Sequence, residues 1–144
     1  MTSTEVSMAQ QAAVAALAQE MIASWAYGDA DGIANLFVDD GTLVLPGIYR
    51  SGKEDIRLYF KDAFENEYKN TQVTGKPLSL RFFGQDVALL LSQGGVLAEN
   101  ESEISEGQAI RASWFAVKVD GKWKLAAYHN CQAKRKLPVP GSND

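Results

Sequence analysis

Residues 25–42 read WAYGDADGIANLFVDDGT, and their turn residues divide the stretch into a helix end, a short helix and a strand start. Gly28 suits the position just past a helix terminus, where the backbone must turn left-handed. Asp29 then caps a short second helix with Ile33, Leu36 and Phe37 on one face, which Asp39-Asp40-Gly41 brings to an end. Thr42 to Leu45 reads as a strand. Upstream, Ser7 with Gln10 forms a capping box, and Val14, Leu17, Met21 and Trp25 recur at helical spacing, predicting a first helix over residues 8–27. Downstream, Pro46-Gly47 breaks the strand and Ile48 to Arg50 forms a second small one. Ser51 with Glu54 makes another capping box for a third helix over residues 53–69. Its apolar stripe is Ile56, Phe60, Ala63 and Phe64, with Tyr59 on the flank.

After Asn70 the pattern changes to period two, giving strand-like runs over residues 73–83, 87–98, 105–119 and 122–133. The turns between them, at Gly84-Gln85-Asp86, residues 99–105 and Asp120-Gly121, are too short for parallel crossovers. These strands therefore form an antiparallel meander. Helices first and a sheet afterwards is the α+β pattern, with the helices covering one face. The expected organisation is a flexible N-terminus over residues 1–7, a single domain over 8–133 and a flexible tail over 134–144.

The chain has 144 residues, with 14 Lys+Arg against 18 Asp+Glu for a net charge of −4. A chain of this size buries about 68–70% of the surface it exposes when unfolded, and 46% apolar residues supply a core without staples. The acidic balance argues against a nucleic-acid surface, and the one basic run, Lys134-Arg135-Lys136, sits in the tail. Cys131 is the only cysteine, and no basic segment leads into an apolar one near Met1. The expectation is a cytoplasmic protein with no membrane partner.

The turn between the last two strands sets which side chains face an enclosed space. A three-residue loop with Gly121 left-handed pairs Lys118 with Lys122 and Val117 with Trp123, matching apolar with apolar. A two-residue loop would place Val117 beside Lys124. The three-residue reading puts Arg111, Ser113, Phe115, Val117, Trp123, Leu125, Ala127, His129 and Cys131 on one face. Ile110, Ala112, Trp114, Ala116, Lys118, Lys124, Ala126, Tyr128 and Asn130 take the other. Aromatics on both faces call for cover on both, the helices on one and a second copy of the chain on the other.

The segment from Trp25 to Thr42, then Arg50-Ser51-Gly52-Lys53, resembles the nuclear transport factor 2-like superfamily. The ending, Asp120-Gly121-Lys122-Trp123-Lys124-Leu125 followed by Tyr128-His129-Asn130-Cys131, is similar to the last hairpin of its SnoaL-like and calmodulin-kinase association-domain branches. The wording is most similar to the SgcJ/EcaC-type proteins of enediyne polyketide biosynthesis, over residues 8–133. The resemblance implies a cone in which a strongly bent antiparallel sheet wraps three helices around a pocket, in a homodimer joined through the sheet. It also implies that Trp114, Ala126, Tyr128 and Asn130 face the pocket, with Arg111 and His129 on the convex side; the reverse orientation stays open.

Ketosteroid isomerase, an enzyme of that superfamily, resembles this chain around Gly28 to Ile56, but its acid positions are lost here. Its oxyanion tyrosine falls at Met21, its catalytic aspartate at Leu45, its supporting tyrosine at Phe60, and its second acid near Ala112 to Trp114. Proton abstraction by a buried carboxylate needs that carboxylate, and Leu45 cannot replace it. The association-domain arginines are likewise absent near Trp114 and Asn130. The expected pocket is lined by Met21, Trp25, Leu45, Tyr59, Phe60, Leu89, Leu91 and Trp114, with Gln93, Tyr128 and Asn130 as its polar groups. Such a wall suits a flat, apolar ligand.

Tyr128 and Asn130 are the candidate catalytic residues. If the hairpin faces are reversed, His129 and Arg111, expected directly across the strand pair, take that place as a base beside an electrophile. His129 and Cys131 share a face without further ligands, so no metal site is expected. Glu99, Glu101, Glu103 and Glu106 read as a solvated acidic loop, or as a dock for a basic partner. No phosphate or dinucleotide motif appears, and no cofactor is expected. The reading is a cofactor-free pocket protein of secondary metabolism. It either assists cyclisation, isomerisation or tailoring of a polyketide intermediate or serves polyketide synthase pathway enzymes as a non-catalytic module.

Overall fold

The computed structural model describes residues 6–133. The terminal stretches 1–5 and 134–144, including the Lys134-Arg135-Lys136 run, lie outside the described residues. The elements run α1 (Met8–Ala26), α2 (Ala30–Ala34), β1 (Phe37–Leu45), β2 (Ile48–Ser51), α3 (Lys53–Glu65), β3 (Gln72–Phe82), β4 (Val87–Leu97), η1 (Glu106–Gln108), β5 (Ile110–Val119) and β6 (Lys122–Gln132). The fold is the expected α+β cone, three α-helices against one curved six-stranded sheet of order β2-β1-β6-β5-β4-β3. Strands β3 to β6 form the antiparallel meander, while β1 joins β6 in parallel and makes the whole sheet mixed.

Helix α1 starts as its sequence dictates, with the Ser7 hydroxyl accepting from the Gln10 amide at 3.2 Å. The Gln10 side chain is used elsewhere: its Oε1 accepts from Trp123 Nε1 at 2.7 Å, fastening the helix start to β6. Val14, Leu17, Met21 and Trp25 are the buried stripe, and Gly28 ends the helix at φ +62°.

Several expectations are corrected by tertiary pairing. Helix α2 stops at Ala34, because the Leu36 carbonyl accepts from the Leu125 amide at 2.7 Å and Phe37 pairs with Leu125. Phe37 and Asp39-Asp40-Gly41 therefore belong to β1, whose register shifts between Phe37 and Thr42. The Ser51–Glu54 capping box does not form. Gly52 is the N-cap of α3, at φ +98°, the Ser51 amide donates to Asp55 Oδ2 at 3.0 Å, and Glu54 pairs with Arg57. That helix ends at Glu65 rather than near Lys69, and the Tyr68 amide turns back onto the Ala63 carbonyl at 2.7 Å.

The β5–β6 turn is the two-residue form. Asp120 and Gly121 stand at φ +51° and +79°, both left-handed, and Val119 pairs with Lys122. Val117 lies opposite Lys124, and a register shift follows between Phe115 and Ala116. On β6 the extra residue is Ala126, between the partners Leu125 and Ala127. This bulge flips the alternation of β6 once, so Trp123 and Leu125 point inward together with Tyr128 and Asn130. For that reason the expected split of β6 into two faces fails for Trp123, Lys124 and Leu125, and Ala126, expected to face the pocket, is the bulge and not part of its wall. Arg111 lies opposite Cys131, and His129 opposite Ser113, so the expected Arg111–His129 pair does not exist.

The core centres on Ile33, Phe37, Leu43, Ile56, Ala88, Ala116 and Leu125, all fully enclosed. Phe37 sits under Gly41, where a Cβ would come within 2.9 Å of the ring. The bulged strand thus needs glycine at that position.

Candidate functional site

At the open end of the cone the same interior is not filled. A cavity of ≈ 120 Å³ lies between α1, the α3–β3 connection and the inner faces of β3 to β6. Its deep wall is Met21, Trp25, Leu45, Phe60, Leu90, Ser92, Ala112 and Trp114, all buried. Its mouth is lined by the exposed residues Ala15, Gln19, Thr74, Gly75 and Pro77.

Trp25 ties three elements together in the last turn of α1. Its indole Nε1 donates to Thr71 Oγ1 at 2.9 Å, and the Thr71 hydroxyl donates to the Tyr68 carbonyl at 2.6 Å. Its ring meets Phe60, Phe64 and Tyr68 at centroid distances of 5.6, 5.4 and 4.6 Å. Trp114 does the same across the sheet. Its Nε1 donates to Ser92 Oγ at 2.8 Å, the hydroxyl on the pairing-partner strand that satisfies a buried indole, and its ring stands edge-on to Tyr128 at 4.7 Å.

Tyr128 and Asn130 form the polar corner. Asn130 Nδ2 donates to the Tyr128 hydroxyl at 3.2 Å. Burial pushes the Tyr128 phenol up to about 12, against which the Asn130 hydrogen bond lowers it. Asn130 Oδ1 is buried and has no hydrogen-bond partner. No Lys, Arg, His, Asp or Glu side chain lines the cavity among the described residues.

Of the residues singled out from the sequence, Met21, Trp25, Leu45, Phe60, Trp114, Tyr128 and Asn130 line this cavity. Tyr59 stands one layer behind, its hydroxyl donating to that of Tyr68 at 3.3 Å, and burial raises its phenol. Leu89, Leu91 and Gln93 do not belong to the wall. They pair with Phe115, Ser113 and Arg111 on the convex face, where Arg111 Nε donates to Gln93 Oε1 at 3.2 Å. The inner residues of β4 are Ala88, Leu90 and Ser92. The uniform run Val87-Ala88-Leu89-Leu90-Leu91 carries no alternation from which to choose between them. His129 and Arg111 point outward and are exposed, so the reversed orientation is excluded.

Tyr68 also lines the cavity, beyond the end of α3 and within the stretch where the periodicity predicts helix. The usable signal was Asn66 and Asn70, the latter left-handed at φ +59°. The paired glycines Gly75 and Gly94 are not among the expected lining residues either. A Cβ on Gly94 would come within 1.9 Å of the Thr74 carbonyl oxygen, so bare backbone is required at this edge of the cavity. Among the described residues no group of three or more His, Cys, Asp and Glu is placed to hold a metal ion, and no helix is long and apolar enough to cross a membrane.

The family model of the SnoaL-like domain matches residues 14–133. No curated protein matches the chain in sequence. Among solved structures, a domain of unknown function with a cystatin-like fold from Nostoc punctiforme superposes with TM-score 0.82 at 23% identity, covering 94% of this chain and 83% of that one. An NTF2-like protein with a cystatin-like fold from Novosphingobium aromaticivorans gives 0.77 at 15% identity, over 90% and 85%. A ketosteroid isomerase-like protein from Erwinia carotovora gives 0.71 at 17% identity, over 90% and 100%. At these identities the structural likeness establishes the fold alone.

Proposed function

The chain belongs to the SnoaL-like domain family, and from that premise we propose that its cavity takes up an apolar, conjugated polyketide intermediate of enediyne type. In this reading the protein is cytoplasmic and assists the cyclisation, isomerisation or tailoring of that intermediate without a cofactor. One observation carries the reading: an apolar space framed by Trp25, Phe60 and Trp114, with the hydrogen-bonded Tyr128–Asn130 pair on its wall. The enediyne subtype rests on the SgcJ/EcaC-like wording alone. Titration with a conjugated apolar probe, read through Trp25 and Trp114 fluorescence, tests the cavity. A saturable signal that Trp114→Phe halves supports the reading, and a linear, non-saturating response removes it.

A second reading, a non-catalytic module that shields a reactive intermediate for polyketide synthase pathway enzymes, is favoured by the chemistry of the wall. Among the described residues no carboxylate or imidazole lines it, and a phenol pushed up to about 12 is no base at neutral pH. Turnover of the pathway intermediate that Tyr128→Phe abolishes while binding persists supports catalysis. Identical product with and without the protein supports the module.

A homodimer through the convex face belongs to either reading. Leu89 pairs with Phe115 there, and Phe115 is 40% exposed. Sedimentation at micromolar concentration decides it, a monomer mass removing this part of the proposal.

A further inference from the structure

Asn130 Oδ1 is the only buried side-chain oxygen or nitrogen without a hydrogen-bond partner among the described residues, and its residue lines the cavity. A buried acceptor left without a donor is costly, so a well-folded interior keeps one only where something else completes it. The neighbouring groups fix what that something is. Asn130 Nδ2 already donates to the Tyr128 hydroxyl oxygen, which leaves the Tyr128 proton to be given to another acceptor. The corner therefore offers one unmet acceptor and one free donor, side by side on an apolar wall.

We propose that this corner receives a neutral hydroxyl, a phenol or an enol, carried on a ring-sized apolar body. The proposal rests on the reading of the cavity as a ligand pocket and narrows its ligand class. A hydroxyl satisfies both groups with one atom, donating to Asn130 Oδ1 and accepting from Tyr128. A ketone or aldehyde accepts from Tyr128 but leaves Oδ1 orphaned. A carboxylate has no proton for Oδ1 and meets no cation, since no Lys, Arg or His among the described residues lines the space. An ammonium meets no carboxylate. The size limit is independent of the polar argument: ≈ 120 Å³ is below the roughly 150 Å³ of an apolar cavity that holds benzene. At most one ring is enclosed, and any longer body leaves past Ala15, Gln19 and Gly75.

The test uses four para-substituted toluenes: 4-methylphenol, 1,4-dimethylbenzene, 4-methylbenzaldehyde and 4-methylbenzoate. Binding to the full chain is followed through the indole NMR signals of Trp25 and Trp114. In the native protein the phenol binds best and the benzoate worst. In Asn130→Leu the advantage of the phenol over dimethylbenzene shrinks by about tenfold. Tyr128→Phe reduces the same advantage and also weakens the aldehyde, which serves if the leucine variant folds poorly. Equal affinity for phenol and dimethylbenzene, an unchanged ratio in both variants, or an aldehyde preferred to the phenol overturns the hydroxyl assignment and leaves the pocket standing. Indole signals unmoved by all four probes overturn the pocket reading and this inference together.

Discussion

The two ends of the interior are built from the same materials and finished differently. Around Phe37, Leu43, Ala116 and Leu125 the cone is closed, each of these residues at 0% exposure. A few residues along the same strands, around Ala112, Trp114 and Leu45, the walls stand apart over ≈ 120 Å³. Strand β5 serves both ends with one face: Ala116 is in the closed end and Ala112, four positions earlier, is in the cavity wall. Polar groups obey the same division. Trp123 at the closed end is satisfied by Gln10, while the open end keeps Asn130 Oδ1 unsatisfied. Closed packing serves stability, and the open end gives up some of that stability for an internal surface.

The largest break in this comparison comes from emptying the closed end. Phe37→Ala is expected to lower the unfolding free energy by about 3–5 kcal/mol in chemical denaturation, because the ring has no space to be replaced by collapse. A loss under about 1 kcal/mol would mean the closed end is loose as well. A sharper contrast uses one substitution at two places on β5. Ala116→Leu overpacks and costs about 1–3 kcal/mol, whereas Ala112→Leu grows into the cavity, changes stability by less than about 1 kcal/mol, and abolishes probe binding. Equal costs at the two sites would erase the distinction.

The smallest effect is electrostatic. Tyr128 holds its proton more tightly folded, with its phenol pushed up from 10.0 to about 12, so the native state binds the extra proton across that interval. Stability from this group is fully present below pH 10, falls as pH rises, and levels off above about pH 12. Tyr128→Phe should flatten that part of the stability curve and remove one of the two raised steps, the other being that of Tyr59, from the phenolate absorbance. A Tyr128 phenolate that titrates near its ordinary value would place the corner in contact with bulk water.

Much of this was legible in the residues. The stripe Val14, Leu17, Met21, Trp25 marked the buried side of α1, and Gly28 its end. Short turns after Asn70 implied the antiparallel meander, and Trp114, Tyr128 and Asn130 were put on one face even through a wrong loop length. The difference in the turn and the bulge at Ala126 partly cancel, which leaves only residues 123–126 on other faces than expected. Asp120-Gly121 fits either loop, so local chemistry could not choose.

By itself, then, the sequence determined the order and type of the elements and the apolar stripes. Periodicity is a local property, and each of those features is local. Tertiary structure alone decided that β1 lies parallel to β6, that Leu90 and Ser92 rather than Leu89 and Leu91 face inward, and that Tyr68 folds back toward Trp25. A one-residue shift exchanges the faces of a strand, and in a uniformly apolar run only the partner strand, here Trp114 opposite Leu90, supplies the energy that fixes it.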